Sequence, residues 1–385
     1  MTFQGYRRAD GRVGVRNHVA VMPGCLCAQT AARKIASATG AVYLHNPNGC
    51  GQNSMDRAVT LEILSGVIAN PNVHAALIVG LGCEQICGEQ YLTRIGEKAE
   101  KRVEYLFLQG SGGMQRTVEA GCAVVRELQA SAAAEPRVPC DLSELVLGLE
   151  CGGSDPTSGL SANVVLGKVT DAVIDAGGTA VLTETPEAIG AEHILRDRAA
   201  DPELGMQIFN AIRDCEAYYR SCGEDIRLAN PSPGNLAGGI STLEEKSLGC
   251  IHKSGSRPFT GFCRYGEQIT EKGLIFMDTT AYDVASVTAK AAGGAQIVAF
   301  TTGLGTPVGN PVVPVVKITG NPDTARNLAD LIDFDTSDTL TGAQSAEALG
   351  TALLEYILSV CSGEETAAER NGCEDLAINQ KYSYC

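Results

Sequence analysis

The chain has 385 residues, 44% of them hydrophobic, which is enough apolar material for two globular domains. Its 30 basic and 45 acidic residues give a formal net charge of −15. Such a charge repels nucleic acid and anionic membrane surfaces, so we expect neither as a partner. The amino terminus lacks an apolar signal segment and no apolar run approaches ~20 residues, so we expect a cytoplasmic protein without a membrane span.

The first third of the chain alternates strand and helix patterns. The predicted strands are His18–Met22, Ala41–Leu44, Val73–Val79 and Val103–Leu108, and the predicted helices are Ala28–Ser37, Met55–Ala69, Tyr91–Ala99 and Met114–Ala132. The third strand is mostly aliphatic, which is typical of a strand buried on both faces. This alternation predicts a parallel sheet with helices on both faces, in a first α/β domain over residues 1–135.

Residues 133–141 are polar and contain two prolines, so they predict a linker to a second α/β domain over residues 142–385. Its predicted strands are Leu145–Gly148, Thr179–Leu182, Ile275–Met277, Ile297–Phe300 and Val312–Ile318, and its predicted helices are Asn163–Ala176, Ala200–Cys222, Ala281–Ala291 and Ala348–Val360. Residues 230–261 are rich in Gly, Pro, Ser and Lys without clear periodicity, which favours a functional loop or a small insert. The predicted fold class is α/β, with two consecutive Rossmann-like units built on parallel sheets.

Fifteen cysteines cannot all pair within one chain, and a reducing cytoplasm favours packing residues and metal ligands over disulfides. Cys27, Cys50, Cys83 and Cys151 each follow a predicted strand in or beside a glycine-rich turn. Because ligands bind at the carboxyl edge of open parallel sheets, these four thiols are predicted to meet at one metal site. Three thiolates that hold an iron–sulfur cluster leave one iron open to act as a Lewis acid. The alternative is that each cysteine is only a small residue in a tight turn.

Three further side chains are candidates for proton transfer. His45 precedes Cys50 by five residues, and Lys246 and Lys253 lie in the glycine-rich segment 238–255. Ammonium groups suit the binding of a carboxylate or proton transfer. Spacing alone is equally consistent with solvated lysines on a surface loop.

Two polar loops are candidates for binding an anionic group. Ser154 and Asp155 follow Cys151 in a Gly-Gly-Ser-Asp turn, and Thr301 and Thr302 open the segment TTGLGTP after a predicted buried strand. Successive backbone N–H groups of such loops can hold an anion. The loops contain neither a Walker motif nor a dinucleotide fingerprint, so nucleotide binding is not expected.

Several long motifs resemble the large domain of the altronate dehydratase and galactarate dehydratase family: GYRRADGRVGVRN, the NGCG turn, VGLGCE, ECGGSDPTSG, NPSPGN, GGISTLEEKSLG and FTTGLGTP, in order from about Gly5 to Asp335. The resemblance implies a hydro-lyase that removes water from a sugar acid, such as altronate or a related aldonate or aldarate, to give a 2-keto-3-deoxy acid. It also implies iron, either as Fe²⁺ or as a [4Fe-4S] cluster held by three cysteines. The resemblance and the chemistry above together give three sets of candidate residues. The candidate metal ligands are Cys50, Cys83, Cys151 and Cys27, and the candidate catalytic residues are Lys246, Lys253 and His45. The candidate substrate-binding residues are Arg12, Arg16, Asn17, Ser154, Asp155, Asn235, Thr301 and Thr302.

The resemblance also bears on partners and alternatives. Family members carry a small domain before the large one, so we expect a separate small subunit here, besides the sugar-acid substrate and a homo-oligomeric assembly. A second interpretation is the β subunit of (2R)-sulfolactate sulfo-lyase, a related stand-alone chain that eliminates sulfite and is expected to lack the turns of Cys50 and Cys83. A third is a non-enzymatic iron- or redox-sensing protein, which would not need the lysine-rich and TTG loops.

Overall fold

The computed structural model describes residues 1–380, so the last five residues of the second predicted domain lie outside it. Its strands are β1 (Thr2–Arg7), β2 (Val13–Gly14), β3 (His18–Pro23), β4 (Val42–Tyr43), β5 (Val73–Gly80), β6 (Val103–Phe107), β7 (Val138–Asp141), β8 (Val146–Cys151), β9 (Thr179–Leu182), β10 (Phe259–Cys263), β11 (Gly273–Met277), β12 (Ile297–Thr301), β13 (Val315–Thr319) and β14 (Phe334–Asp335). Its α-helices are α1 (Gln29–Thr39), α2 (Ser54–Ala69), α3 (Gly88–Lys98), α4 (Met114–Ala133), α5 (Asn163–Asp175), α6 (Glu192–Asp197), α7 (Pro202–Ser221), α8 (Pro233–Ala237), α9 (Leu243–Cys250), α10 (Asp283–Gly293), α11 (Pro322–Asn327), α12 (Asp338–Thr341), α13 (Ala346–Cys361) and α14 (Ala367–Arg370).

A four-stranded parallel sheet forms the first part of the molecule, with the strand order β4-β3-β5-β6. Helices α1 and α4 pack on one face of it, and α2 and α3 pack together on the other. Seven of the eight residues of β5 are buried, as expected for an aliphatic strand covered by helices on both sides. The predicted parallel α/β architecture is confirmed here.

A seven-stranded parallel sheet forms the second part, with the order β10-β11-β9-β8-β12-β13-β14. Helices α5 and α13 pack against each other on one side, and α10 packs against α2 of the first part. One continuous core joins Ala20 and Ile78 of the first sheet to Val298 and Phe300 of the second. The two α/β units therefore bury a shared apolar interface rather than standing apart on a linker.

Two segments differ from the sequence prediction. Residues 133–141, predicted as a linker, contain β7, which pairs antiparallel with β1 in a small sheet of order β2-β1-β7. Residues 230–261, predicted as a functional loop or a small insert, contain α8, α9 and the 3-10 helix Ile251–Ser254. Both are short or polar elements, and their stability comes from tertiary pairing and end caps such as Thr242, whose hydroxyl accepts from the backbone N–H of Glu245.

The amino ends of the two large sheets meet. Asn72, just before β5, donates from Nδ2 to the backbone oxygens of Gln296 (2.8 Å) and Val312 (3.0 Å). Asn70 donates to the backbone oxygen of Ala291 at 2.7 Å. Both asparagines are fully buried, so these bonds satisfy backbone groups that water cannot reach. The carboxyl edges of β5 and β12, where ligands bind in parallel sheets, lie at the opposite ends of these strands. No helix within residues 1–380 is both long and apolar enough to cross a membrane.

The contact between α2 and α10 depends on a glycine. A Cβ at Gly66 would lie 2.6 Å from the backbone oxygen of Ala292 and 2.9 Å from its Cβ, whereas a Cβ at Gly96 in α3 would meet nothing within 4 Å. We therefore expect Gly66→Ala to lower the free energy of unfolding by about 1–3 kcal/mol, because the helices must separate. Gly96→Ala should instead raise it by up to ~1 kcal/mol through helix propensity. Denaturant unfolding of both variants measures the difference, and equal changes of the same sign would contradict this close packing of α2 on α10.

Candidate active site

The carboxyl ends of β8 and β9 bring two acidic side chains together. Cys151 is the last residue of β8, and Glu184 lies two residues beyond the end of β9, its parallel neighbour. Oε2 of Glu184 accepts from the backbone N–H of Cys151 at 3.0 Å. Among the described non-glycine residues, Glu184 is the one with a positive φ, 67°, a conformation held by its backbone N–H donating to Oγ1 of Thr279 at 2.8 Å. Such strain in a bulky residue is typical of a functional site.

Helix α9 and the turn after it supply a second thiol and an ammonium group. Cys250 ends α9, and its Sγ lies 3.5 Å from Sγ of Cys151. Lys253 follows on the 3-10 helix Ile251–Ser254, and its side chain is fully buried. Nζ of Lys253 lies 3.0 Å from each sulfur and 2.6 Å from Oε2 of Glu184. Two thiols, a carboxyl and an ammonium group thus form one buried cluster, called the Cys–Lys cluster below (Cys151, Glu184, Cys250 and Lys253).

The side chains of this cluster shift one another's pKa values through their contacts. The thiol of Cys151 donates to Cys250, which lowers the pKa of Cys250 and raises that of Cys151, and Lys253 lowers the pKa of Cys250 further. Burial and the nearby Glu150 carboxyl raise the pKa of Glu184 to about 8, against the opposing effect of Lys253. These contacts favour an ammonium at Lys253, whose pKa is raised by the neighbouring cysteines and Glu184 against the effect of burial, and they favour ionisation of Cys250 over that of Cys151.

A second layer of carboxyls surrounds the cluster. Glu150 forms a fully buried ion pair with Lys290 and accepts from Oγ of Ser286 at 2.8 Å. Its other oxygen, Oε1, is buried without a hydrogen-bond partner. Asp283, the first residue of α10, completes a group with Glu150 and Glu184 whose carboxyl oxygens lie within 4.8 Å of one another. Burial and then the charge of Glu184 raise the pKa of Asp283 to about 7. A partly exposed carboxyl with a pKa near neutrality suits general acid–base catalysis.

Asp283 has room only because its neighbour is a glycine. A Cβ at position 152 would lie 2.3 Å from Oδ2 of Asp283, so no larger residue fits beside that carboxyl without a shift. Gly152 directly follows Cys151 at the end of β8. The glycine-rich turn therefore serves to admit a carboxyl group from α10.

Lys246 lies nearer to the surface of the same region. Its Nζ donates to Oε1 of Glu187 (2.9 Å) and to Oδ1 of Asn230 (2.8 Å). Burial alone would lower the pKa of Lys246, but the Glu187 carboxylate raises it above its usual value. Lys246 lines a cavity of about 250 Å³ together with Asp155 and His252. This ammonium is fixed in its charged form and is accessible to a small anionic molecule.

Several predicted site residues of the second sheet lie at this edge. Ser154 and Asp155 line the same cavity, and Asn235 donates from Nδ2 to the backbone oxygen of Ser154 at 2.8 Å. The side chains of Thr301 and Thr302 are fully buried and shape the neighbouring loop, because their hydroxyls bond to Asn163 (2.6 Å) and to the backbone N–H of Gly305 (3.0 Å). A hydroxyl free to bind a ligand is found at Ser154, whose buried Oγ has no partner within the described residues.

The three predicted residues near the amino terminus have other contacts. Arg16 pairs with Glu369 at 2.7 Å and donates to backbone oxygens, including that of Val360. Arg12 pairs with Asp10, and Asn17 donates to the backbone oxygen of Ala132. All three precede β3, at the amino end of the first sheet. The contacts of Arg16 join the two α/β units, whereas those of Arg12 and Asn17 lie within the first unit. A substrate-binding role for the three stays a prediction.

The remaining predicted ligands lie at the carboxyl edge of the first sheet, in exposed loops. Cys27, Cys50 and Cys83 are all exposed, and His45 lies just after β4. The loops contact each other, because the backbone N–H of Leu26 donates to Asn48 (3.1 Å) and that of Ile86 to Gly49 (3.2 Å). Within residues 1–380, these thiols and Cys151 do not form a group with sulfurs less than 4.8 Å apart. Joint metal binding by the four thus stays a prediction.

Three residues of the site lie outside the set predicted from sequence: Cys250, Glu184 and Asp283. Cys250 does not follow a predicted strand, so the sequence pattern did not identify it. The spacing Cys250-x-x-Lys253 nevertheless brings the two side chains to the same side of a helical segment. Glu184 begins the segment ETPEAIGAE, to which the sequence alone assigned no role, and Asp283 falls within a predicted helix. The sequence feature that could have identified Asp283 is its position in the first turn of a helix that follows a buried strand.

An α/β fold with thiols, carboxyls and lysines at the carboxyl edge of a parallel sheet defines an enzyme with acid–base chemistry at that edge. Two family profiles match the chain: "D-galactarate dehydratase/Altronate hydrolase, second domain" over residues 5–133, and "D-galactarate/Altronate dehydratase, C-terminal" over residues 142–384. The chain belongs to this D-galactarate/altronate dehydratase family.

Similar curated proteins agree with that assignment. The altronate dehydratase of Bacillus subtilis is 38% identical over 98% of this chain and 77% of its own length. The (2R)-sulfolactate sulfo-lyase subunit beta of Chromohalobacter salexigens is 35% identical over 99% of this chain and 98% of its own. The galactarate dehydratase (L-threo-forming) of Escherichia coli is 33% identical over 94% and 73%. These names are those of lyases, and the chain is accordingly a lyase.

Proposed function

We propose that the protein is a hydro-lyase that removes water from a sugar acid, an aldonate or aldarate such as altronate, to give a 2-keto-3-deoxy acid. The observation that carries the proposal is the presence of a carboxyl and an ammonium group near one another, close enough for the charge of Lys246 to act on the pKa of Asp283. Asp283 is a carboxyl with a pKa of about 7, and Lys246 is an ammonium held in its charged form beside a cavity. Two of the relatives described above bear the names of sugar-acid dehydratases.

Asp283 and Lys246 have different roles in the proposed elimination of water. The proton α to a carboxylate is weakly acidic, so its removal needs a base and a positive charge beside the developing enolate. Asp283 in its ionised form accepts the proton, and Lys246 binds the substrate carboxylate and stabilises the enolate charge. Oγ of Ser154, buried without a partner in the same cavity, is available to a substrate hydroxyl. Lys253 lies deeper, within the Cys–Lys cluster, and acts on the site through Glu184.

Iron is part of this proposal. Cys27, Cys50 and Cys83 would hold it, because they are exposed thiols on three contacting loops at the carboxyl edge of the first sheet, and three thiolates suit an iron–sulfur cluster with one open iron. Iron bound there would supply Lewis-acid activation of the leaving hydroxyl. His45, next to these loops, would donate a proton to that hydroxyl so that it leaves as water.

The test is elimination measured on matched substrates. Anaerobically prepared protein supplied with iron is incubated with a panel of aldonates and aldarates, and 2-keto-3-deoxy product is quantified. (2R)-Sulfolactate is included with sulfite detection, because the sulfo-lyase subunit matches this chain over nearly its whole length. Keto-acid product from a sugar acid supports the proposal. Sulfite release without turnover of any sugar acid would replace it by the sulfo-lyase function.

We further propose a separately encoded small subunit. The relative that this chain covers almost completely is named as a subunit, whereas the altronate dehydratase of Bacillus subtilis is longer than the matched region. A second polypeptide would then complete the active site in trans. Co-purification of a small protein with the chain from its native host, with a gain in turnover, is the expected result. Turnover by the isolated chain at an ordinary ~10 s⁻¹ would make the partner unnecessary.

A further inference from the structure

The Cys–Lys cluster has the donor set of a metal site. Sγ of Cys151, Sγ of Cys250 and a carboxyl oxygen of Glu184 all lie within 4.8 Å of one another, and all three residues are buried. Thiolate and carboxylate together suit a borderline divalent ion such as Zn²⁺ or Fe²⁺. The ligands come from three different elements, β8, the turn after β9 and the end of α9, so their convergence is a product of the tertiary fold.

The spacing of the donors matches a tetrahedral ion. Two sulfurs bound at ~2.3 Å in a tetrahedron lie about 3.8 Å apart, and a sulfur and an oxygen bound at ~2.3 and ~2.1 Å lie about 3.6 Å apart. The observed separations are 3.5 Å between Cys151 and Cys250 and 3.7 Å between Cys151 Sγ and Glu184 Oε1. A disulfide, in contrast, needs about 2.05 Å between the sulfurs. The donors are thus already placed for an ion.

Further acidic groups lie around the cluster, and two of their oxygens have no hydrogen-bond partner within residues 1–380. Four buried or half-buried carboxyls (Glu150, Glu184, Glu187 and Asp283) and two thiols face three lysines (Lys246, Lys253 and Lys290). One oxygen of Glu150 and one of Glu187 are buried without a hydrogen-bond partner. A buried oxygen without a partner is costly, and a cation bound nearby would offset part of that cost.

Lys253 now fills the position of the cation. Its ammonium group contacts the two sulfurs at 3.0 Å each and the second Glu184 oxygen, Oε2, at 2.6 Å, so it binds the same three residues as an ion would. A lysine side chain is flexible, so its Nζ can leave this position while the more rigidly held ligands stay. The ammonium therefore competes with a metal for the same three ligands.

We infer that Cys151, Glu184 and Cys250 form a second metal site, separate from the thiols of the first sheet, which binds one borderline divalent transition-metal ion when the Lys253 ammonium withdraws. The site does not depend on the proposed dehydratase function. Its test is metal binding, so its failure and the failure of that function are distinguishable.

The experiment first removes the competing thiols. The full chain is alkylated with iodoacetamide in its native, metal-free state, which blocks exposed cysteines such as Cys27, Cys50 and Cys83 and spares the buried pair. Titration with Co²⁺ should then give one equivalent per chain with cobalt–thiolate absorption. Cys250→Ala should lose that absorption and lower the affinity by more than the ~10–100-fold typical of changes outside the ligand set. The matched control is Cys263→Ala, a buried cysteine at the end of β10, which should bind as the unchanged chain does.

Lys253→Met is expected to change the metal affinity in the opposite direction. If the ammonium competes with the metal, this variant should bind Co²⁺ at least ~10-fold more tightly, a direction that a purely structural lysine does not predict. Thermal unfolding of each variant checks that it is folded before titration. The inference is overturned if the alkylated chain binds no Co²⁺ with thiolate absorption, or if Cys250→Ala and Cys263→Ala bind equally. In either case Lys253 is the permanent counter-ion of the two cysteines.

Discussion

Replacing Asp283 with Asn is expected to lower kcat/KM for water elimination by about 10²- to 10⁴-fold, the usual contribution of a general base. The amide keeps the size and polarity of the side chain beside Gly152 but cannot accept the α-proton. The matched control is Asp323→Asn on the surface helix α11, where the carboxylate pairs with the exposed Arg326. That variant should retain normal turnover.

The pH profile separates catalysis by Asp283 from a structural role. Its pKa is raised to about 7, so the carboxyl is protonated and inactive as a base below that pH. We therefore expect kcat/KM of the unchanged enzyme to fall as the pH drops through about 7, and this limb should be absent from the residual activity of Asp283→Asn. An unchanged limb in the variant would assign the ionisation to another group.

Stability gives a further check on the same variant. A raised carboxyl pKa means that ionisation of Asp283 costs folding free energy, so its contribution to stability declines as the pH rises from about 4 to about 7. Asp283→Asn removes that cost and should be at least as stable as the unchanged chain at pH 8. A loss of activity in a variant of undiminished thermal stability cannot be ascribed to unfolding.

Lys246→Met should lower kcat by at least ~10²-fold, because the ammonium that stabilises enolate charge is lost while most of the side-chain volume is kept. The control is Lys168→Met, a surface lysine that pairs with the exposed Glu347. Because Lys246→Met leaves the buried Glu187 unpaired, its thermal stability must be measured alongside its kinetics. A variant that is folded and saturates with substrate yet keeps a normal kcat would rule out this role for Lys246.

The sequence alone determined the regular elements that are buried on both faces. The strand predicted at Thr179–Leu182 has the same bounds in the structure, and the helix predicted at Met55–Ala69 begins one residue earlier. Aliphatic runs and helical periodicity record the burial of an element locally, so they are readable without knowing what covers it. The long family motifs likewise identify the family from the order of their residues alone.

Tertiary structure alone decided which of these elements meet. The antiparallel pairing of β1 with β7 joins residues more than 130 positions apart, and neither strand has a marked pattern. Cys151 lies at the carboxyl end of a strand, as Cys27, Cys50 and Cys83 follow the ends of theirs. It belongs to the other large sheet, however, and contacts Cys250, 99 residues away. Sequence periodicity indicates whether a given residue has a buried or an exposed environment, but it does not indicate which residue it contacts. The identity of the neighbour that supplies this environment depends on how the two sheets pack, and that is set by the whole chain.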